Sequence, residues 1–129
     1  MKLFRLLVIL GVLSLANCAP RTALGPVYLA YPEIRPIPIE LRNFSFHPNH
    51  IGILKSKSPL TLRLTNIADR KHNFTLVDDQ KNVIVSIDLK PKESIITTLP
   101  TLAPGNYIFY CNRFLHRRGG MGGMLMVAE

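Results

Sequence analysis

Leu60, Leu62 and Leu64 alternate with Thr61, Arg63 and Thr65 in "LTLRLTN", and a period of two over that length predicts a strand with one buried face. Short runs of the same kind extend along most of the chain. "IELRNFSF" (39–46) precedes the turn-like "HPNH", and "IGIL" then ends at a Lys/Ser/Pro break. "HNFTLV", "NVIVSIDL" and "ESIITTL" are separated by "DDQK" and "KPK". "APGNYIFYC" leads from a Pro-Gly turn into an aromatic strand, and "MLMVAE" is the last run. These make about eight strands at turn-punctuated spacing, and no segment holds a helical period over a helix's usual length. The pattern predicts an all-β fold, a Greek-key β-sandwich.

The first residues follow a different rule. Lys2 and Arg5 form a positive start to "MKLFRLLVILGVLSLANCAP", and Leu6 to Ala16 form an apolar run too short to span a bilayer as a permanent helix. Residues 1–17 therefore read as a signal peptide. Its end, "LANC", resembles the bacterial lipobox at Leu15, Ala16 and Cys18, which makes Cys18 the candidate lipidation site. Asn17 departs from the small residue usual before that cysteine, so ordinary signal cleavage nearby is the other reading. From Ala19 to Pro38 the chain holds five of its ten prolines. Residues 18–38 read as a lipid-anchored tether reaching roughly 60 Å if extended at about 3.1 Å per residue. The alternative is that Val27 to Tyr31 packs along the domain as an irregular edge. The folded domain is expected over 39–129.

Removing the signal changes the cysteine chemistry. There are two cysteines in all, and if Cys18 is acylated, Cys111 is a lone thiol exported to an oxidising compartment, a liability unless something occupies it. Cys111, His116 and Met121 follow one another at C-x4-H-x4-M. A thiolate, an imidazole and a thioether together are soft ligands suited to copper. His72, where a polar turn becomes the strand "HNFTL", is the fourth candidate. A sandwich could join it to the last loop as a trigonal two-His-one-Cys site with a weak axial thioether. Gly119, Gly120, Gly122 and Gly123 give that loop backbone freedom for a close approach. Met124 and Met126 read as strand residues, with Met124 the fallback axial ligand. His47 and His50 read as exposed turn residues.

"HNFTL", "L-x-P-G-x-Y-x-F-Y-C" and "C-x4-H-x4-G-M-x-G-x-L-x-V" together resemble the cupredoxins, small blue-copper proteins related to plastocyanin and azurin, over about Ile39 to Val127. The resemblance implies one copper ion cycling between Cu(I) and Cu(II), with His72, Cys111 and His116 as equatorial ligands and Met121 axial. It also implies that Asn73 ties the two ligand loops together by hydrogen bonds.

Three strong ligands and a thioether leave no open position for substrate, so the expectation is an electron carrier and not an enzyme. A periplasmic copper carrier or storage protein using the same loop is the alternative, and a copper-free adhesive module a third. The net charge of +8 falls to +6 without Lys2 and Arg5. Arg113, Arg117 and Arg118 lie on the ligand loop around Phe114 and Leu115. This basic ring with an apolar centre is expected to guide an acidic redox protein (cytochrome, oxidase or reductase) to the His116 edge; a solvated face drawn to anionic lipid is the plainer reading. The chain is expected to act as a monomer on the periplasmic side of the envelope, held to a membrane by its lipid and without a nucleic-acid partner.

Overall fold

The computed structural model describes residues 22–31, 36–54 and 59–129. The signal segment at 1–17 and Cys18 lie outside the described residues. In chain order the strands are β1 (Tyr28–Ala30), β2 (Ile37–Arg42), β3 (Ser45–His47), β4 (His50–Ile53), β5 (Thr61–Asn66), β6 (His72–Val77), β7 (Val83–Leu89), β8 (Ser94–Thr98), β9 (Gly105–Tyr110) and β10 (Gly122–Val127). Among the described residues no helix is long and apolar enough to cross a membrane.

The strands form two sheets. One runs β1-β4-β10-β9-β6-β7 and the other β3-β2-β5-β8. β1, β4 and β10 lie parallel, as do β2 and β5, and the remaining neighbours are antiparallel. Period two places the apolar positions on the inner faces. Ile37, Ile39 and Leu41 of β2 and Leu62 and Leu64 of β5 are buried with Leu76, Phe109 and Leu125 of the other sheet. Three aromatic rings lock the middle. Phe46 meets Phe74 and Phe109 edge-on at centroid distances of 5.9 and 5.2 Å, while Phe74 and Phe109 stack at 5.3 Å.

Two features raise the strand number from about eight to ten. "IELRNFSF" is a hairpin and not one strand: β2 and β3 pair antiparallel across Asn43-Phe44, and Phe44 takes the left-handed backbone at φ 60°. Part of the proline-rich segment is also in the sheet, because Tyr28–Ala30 pairs with Ile51–Ile53 of β4. Of the two readings of 27–31, the packed edge describes the structure. "HPNH" carries the chain from β3 in one sheet to β4 in the other.

Asn66 connects this frame to the start of β6. Its side chain is fully buried; Nδ2 donates to the carbonyls of Arg70, Leu89 and Lys90 at 2.8, 3.3 and 3.0 Å, and Oδ1 accepts from the Ala68 N–H at 3.1 Å. One carboxamide thus fixes the 67–71 loop that delivers His72. Asn66→Ala leaves those buried groups unpaired and is expected to lower the stability of the metal-free protein by about 2 kcal/mol, read from urea denaturation midpoints.

Candidate metal centre

His72 opens β6, Cys111 directly follows β9, and Met121 directly precedes β10. β9 pairs with both neighbours, Thr75 standing opposite Tyr110 on one side and Gly122 opposite Tyr110 on the other. The ends of three adjacent strands therefore converge. The 112–120 loop is closed by its own backbone: Cys111 N–H donates to the Met121 carbonyl and Met121 N–H to the His116 carbonyl, both at 3.1 Å. Further bonds from His116 to Arg113, Gly119 to Leu115 and Gly120 to Arg117 tighten it. Gly120 takes φ 88°, a left-handed conformation that a side chain would strain.

This folding brings three side chains together. His72 Nδ1 and His116 Nδ1 lie 3.2 Å apart, and Cys111 Sγ stands 3.3 Å from the His116 nitrogen and 4.0 Å from that of His72. A point equidistant from the three lies about 2.1 Å from each, within the roughly 2.0–2.3 Å that imidazole nitrogen and thiolate sulfur keep from a divalent zinc ion of similar size. The donor set fits a metal. Cys111 and Met121 are fully buried, and His116 is half-buried. Met124 stands on β10 between Ile108 and His50, three residues beyond the loop's closure.

Hydrogen bonds hold the thiolate side. The Asn73 N–H donates to Cys111 Sγ at 3.3 Å, and Asn73 Oδ1 accepts from the Asn112 N–H at 3.4 Å and from the Thr75 hydroxyl at 2.6 Å. Asn73 Nδ2 donates to Asp88 Oδ1 at 2.9 Å and to Ser86 Oγ at 3.2 Å. Asn73 thus links the β6 start to the ligand loop. Its supports were not singled out from sequence: Thr75 lies two residues on along the same strand, and Ser86 and Asp88 are set beside it only by the pairing of β6 with β7.

Phe44 was also missed. Its ring lies 5.0 Å from the His116 imidazole, and a Cβ on Gly119 would stand 2.8 Å from it. No local signal marks Phe44, since its contact is made across the two sheets. On the ligand loop Phe114 is 88% exposed and Leu115 is 52% exposed. Arg117 turns back to cover Tyr110, its guanidinium carbon 4.1 Å from the ring centre, while Arg118 is exposed. His47 is exposed, and His50 Nδ1 lies 3.1 Å from the Gly25 carbonyl.

Both candidate imidazoles are held below the ordinary histidine value. Burial is the main cause for each. For His72 the neighbouring His116, Arg113 and Arg70 add to it against an opposing Asp69, and for His116 Arg113 and Arg70 do. The neutral form, which binds metal, is thereby favoured. His72 Nε2 is enclosed without a hydrogen-bond partner among the described residues.

Residues 6–127 match the family model of the cupredoxin-like domain. No curated protein matches the chain. Among solved structures, dithionite-reduced auracyanin from the photosynthetic bacterium Roseiflexus castenholzii is similar at 21% identity and a TM-score of 0.64, over 83% of this chain and 100% of its own. Auracyanin A, a "blue" copper protein from the green thermophilic photosynthetic bacterium Chloroflexus aurantiacus, is similar at 20% identity and a TM-score of 0.59, over 72% of this chain and 99% of its own. A Cu-containing nitrite reductase from Thermus scotoductus aligns over 74% of this chain and 23% of its own, at 21% identity and a TM-score of 0.55. At such identities the likeness is one of fold.

The depressed imidazoles generate a pH dependence for the metal-free protein. The unfolded chain binds histidine protons as pH falls through about 6.5, while the folded site resists them until lower pH, so folding stability is present above that value and declines below it. Urea midpoints of the metal-free protein are expected to fall from pH 7 to pH 5, a window above the titration of Asp78, whose carboxyl is held below its usual value by Asn82. A flat profile would contradict imidazoles held neutral.

Proposed function

The chain belongs to the cupredoxin-like family, and we propose that it carries single electrons between redox partners at the cell envelope, held there by acylation of Cys18. The observation that carries this reading is the preformed triangle of His72, Cys111 and His116. Copper bound there supplies a one-electron couple between Cu(I) and Cu(II). We assign Met121 as the axial ligand, since its backbone is bonded to that of Cys111 and His116 and its side chain is fully buried.

The protein's own part is to keep the donors in one arrangement. Cys111 receives the Asn73 N–H, which disperses thiolate charge without removing it. The loop's internal bonds keep His116 near His72, and burial keeps water from the sulfur. His116 is the ligand with a partly exposed side, flanked by Phe44, Phe114 and Leu115, so an electron leaves or enters there. Carriage of copper as cargo is less well supported. The "GGMLM" part of "GGMGGMLM" is no loose, exchangeable segment, since it lies in β10, which is paired on both sides by β4 and β9.

Thiolate-to-Cu(II) charge transfer is expected to colour the copper-loaded protein intensely. Cys111→Ser is expected to abolish the colour while leaving the fold's circular dichroism unchanged; a colourless wild type after Cu(II) loading would sink the assignment. Met121→Leu is expected to keep the colour and shift the reduction potential, because the axial bond is weak.

The partner reading is an acidic redox protein, met by one copy of this chain and steered by Arg113, Arg117 and Arg118. Reversing all three to glutamate is expected to slow electron exchange with the native partner about tenfold at low ionic strength, with the difference shrinking as salt rises. Rates indifferent to both the substitutions and the salt would reduce the ring to a solvated face. Arg117, packed on Tyr110, is expected to contribute least of the three.

A further inference from the structure

Residues 22–30 are strapped along the domain, and they start at the metal-ligating end. β1 runs parallel to β10, which begins at Gly122 beside Met121 and leads away from the ligand loop. The described residues that precede Tyr28 therefore lie toward that loop. Thr22 is there: its Oγ1 stands 3.0 Å from where a Cβ on Gly122 would be. Between Thr22 and β1, Asn49 holds the strap twice, accepting from the Gly25 N–H at 2.9 Å and donating to the Ala23 carbonyl at 2.8 Å.

From Cys18 to Thr22 is four residues, a span that cannot exceed about 14 Å at the roughly 3.3–3.6 Å each that an extended chain allows. The sandwich is longer than that. Its six- and seven-residue strands alone extend about 20 Å at 3.3 Å per residue, before the turns at either end. A lipid on Cys18 can therefore reach the bilayer from the ligand-loop end but not past the far end, where Asp78–Asn82 joins β6 to β7. The loop that is brought near the bilayer carries an exposed phenylalanine and leucine at its tip and arginines around them, a composition suited to lipid headgroups.

We propose that the acylated chain rests with its 113–118 loop against the anionic surface of its own membrane between encounters, so that the acidic redox partner takes the His116 edge in exchange for lipid at that surface. This rests on acylation of Cys18, and the two ideas fail separately. The sequence has no tryptophan, so one introduced residue reports alone. Phe114→Trp marks the loop tip and Val83→Trp, also exposed, marks the far end.

The acylated, metal-free chains are to be placed on phosphatidylcholine–phosphatidylglycerol vesicles carrying a trace of headgroup-dansylated lipid. Energy transfer is expected to be several-fold stronger in the Phe114→Trp chain than in the Val83→Trp chain. Inserting some twenty Gly/Ser residues between Pro20 and Arg21 is expected to bring the two values together, since a flexible leash of that length adds about 25 Å of reach. A chain that does not float with the vesicles overturns acylation itself. A chain that floats and transfers equally from both positions overturns the orientation alone, and a difference that survives the insertion overturns the short leash as its cause.

Discussion

The metal-binding end of this protein depends on one pairing constraint, the placement of β9 between β6 and β10. Tyr110 is the hinge of that arrangement. It stands opposite Thr75 on one side and Gly122 on the other, so Cys111, one step on, must lie between the start of β6 and the start of β10. His72 opens the first and Met121 directly precedes the second. Ladder hydrogen bonds and the Phe46–Phe74–Phe109 cluster fix the strands that bear the sulfur and the first imidazole. His116 arrives by a different route, through a loop whose backbone bonds run back to Cys111 and Met121.

That preformation has a cost, visible in the charges the site tolerates. Two imidazoles 3.2 Å apart, beside Arg113 and Arg70, cannot both be protonated cheaply, and burial adds to the penalty. The Nε2 of His72, without a hydrogen-bond partner among the described residues, is a second expense. Such tension is tolerable where the rest of the frame is firm. Here Asn73 and Thr75, on the opposite face of β6, are hydrogen-bonded to each other and to Ser86 and Asp88 of β7. The polar face of one strand thus supports the reactive end of the same strand.

Most of the fold was legible because its signals are local. Leu60, Leu62 and Leu64 alternate whatever surrounds them, and the Cys111, His116 and Met121 spacing survives folding because one loop carries all three. The features that escaped are those made at long range. Nothing in "IELRNFSF" is a glycine or proline, so the turn at Asn43-Phe44 had no punctuation to announce it, and Phe44 comes to lie beside His116 only once the sheets are packed. The prolines around Tyr28 spoke for an extended tether. What holds Tyr28–Ala30 is the open edge of β4, and Asn49, whose partners lie 24 and 26 residues away, adds to it. Asp88 carries no signal within "NVIVSIDL", and only the pairing of β7 with β6 sets it opposite Asn73.

The register of the last hairpin has a consequence for how such a protein can diversify. Tyr110 and Gly122 form the final rung of the β9–β10 ladder, so residues 112–120 hang from a closed rung as a detachable cassette. Lengthening, shortening or exchanging that cassette leaves every side chain of both strands facing the way it did, whereas a single residue added within β9 or β10 would turn the inner face outward. Variation in the metal's surroundings and variation in the scaffold are thereby separable, and the first can be explored freely while the second is held constant.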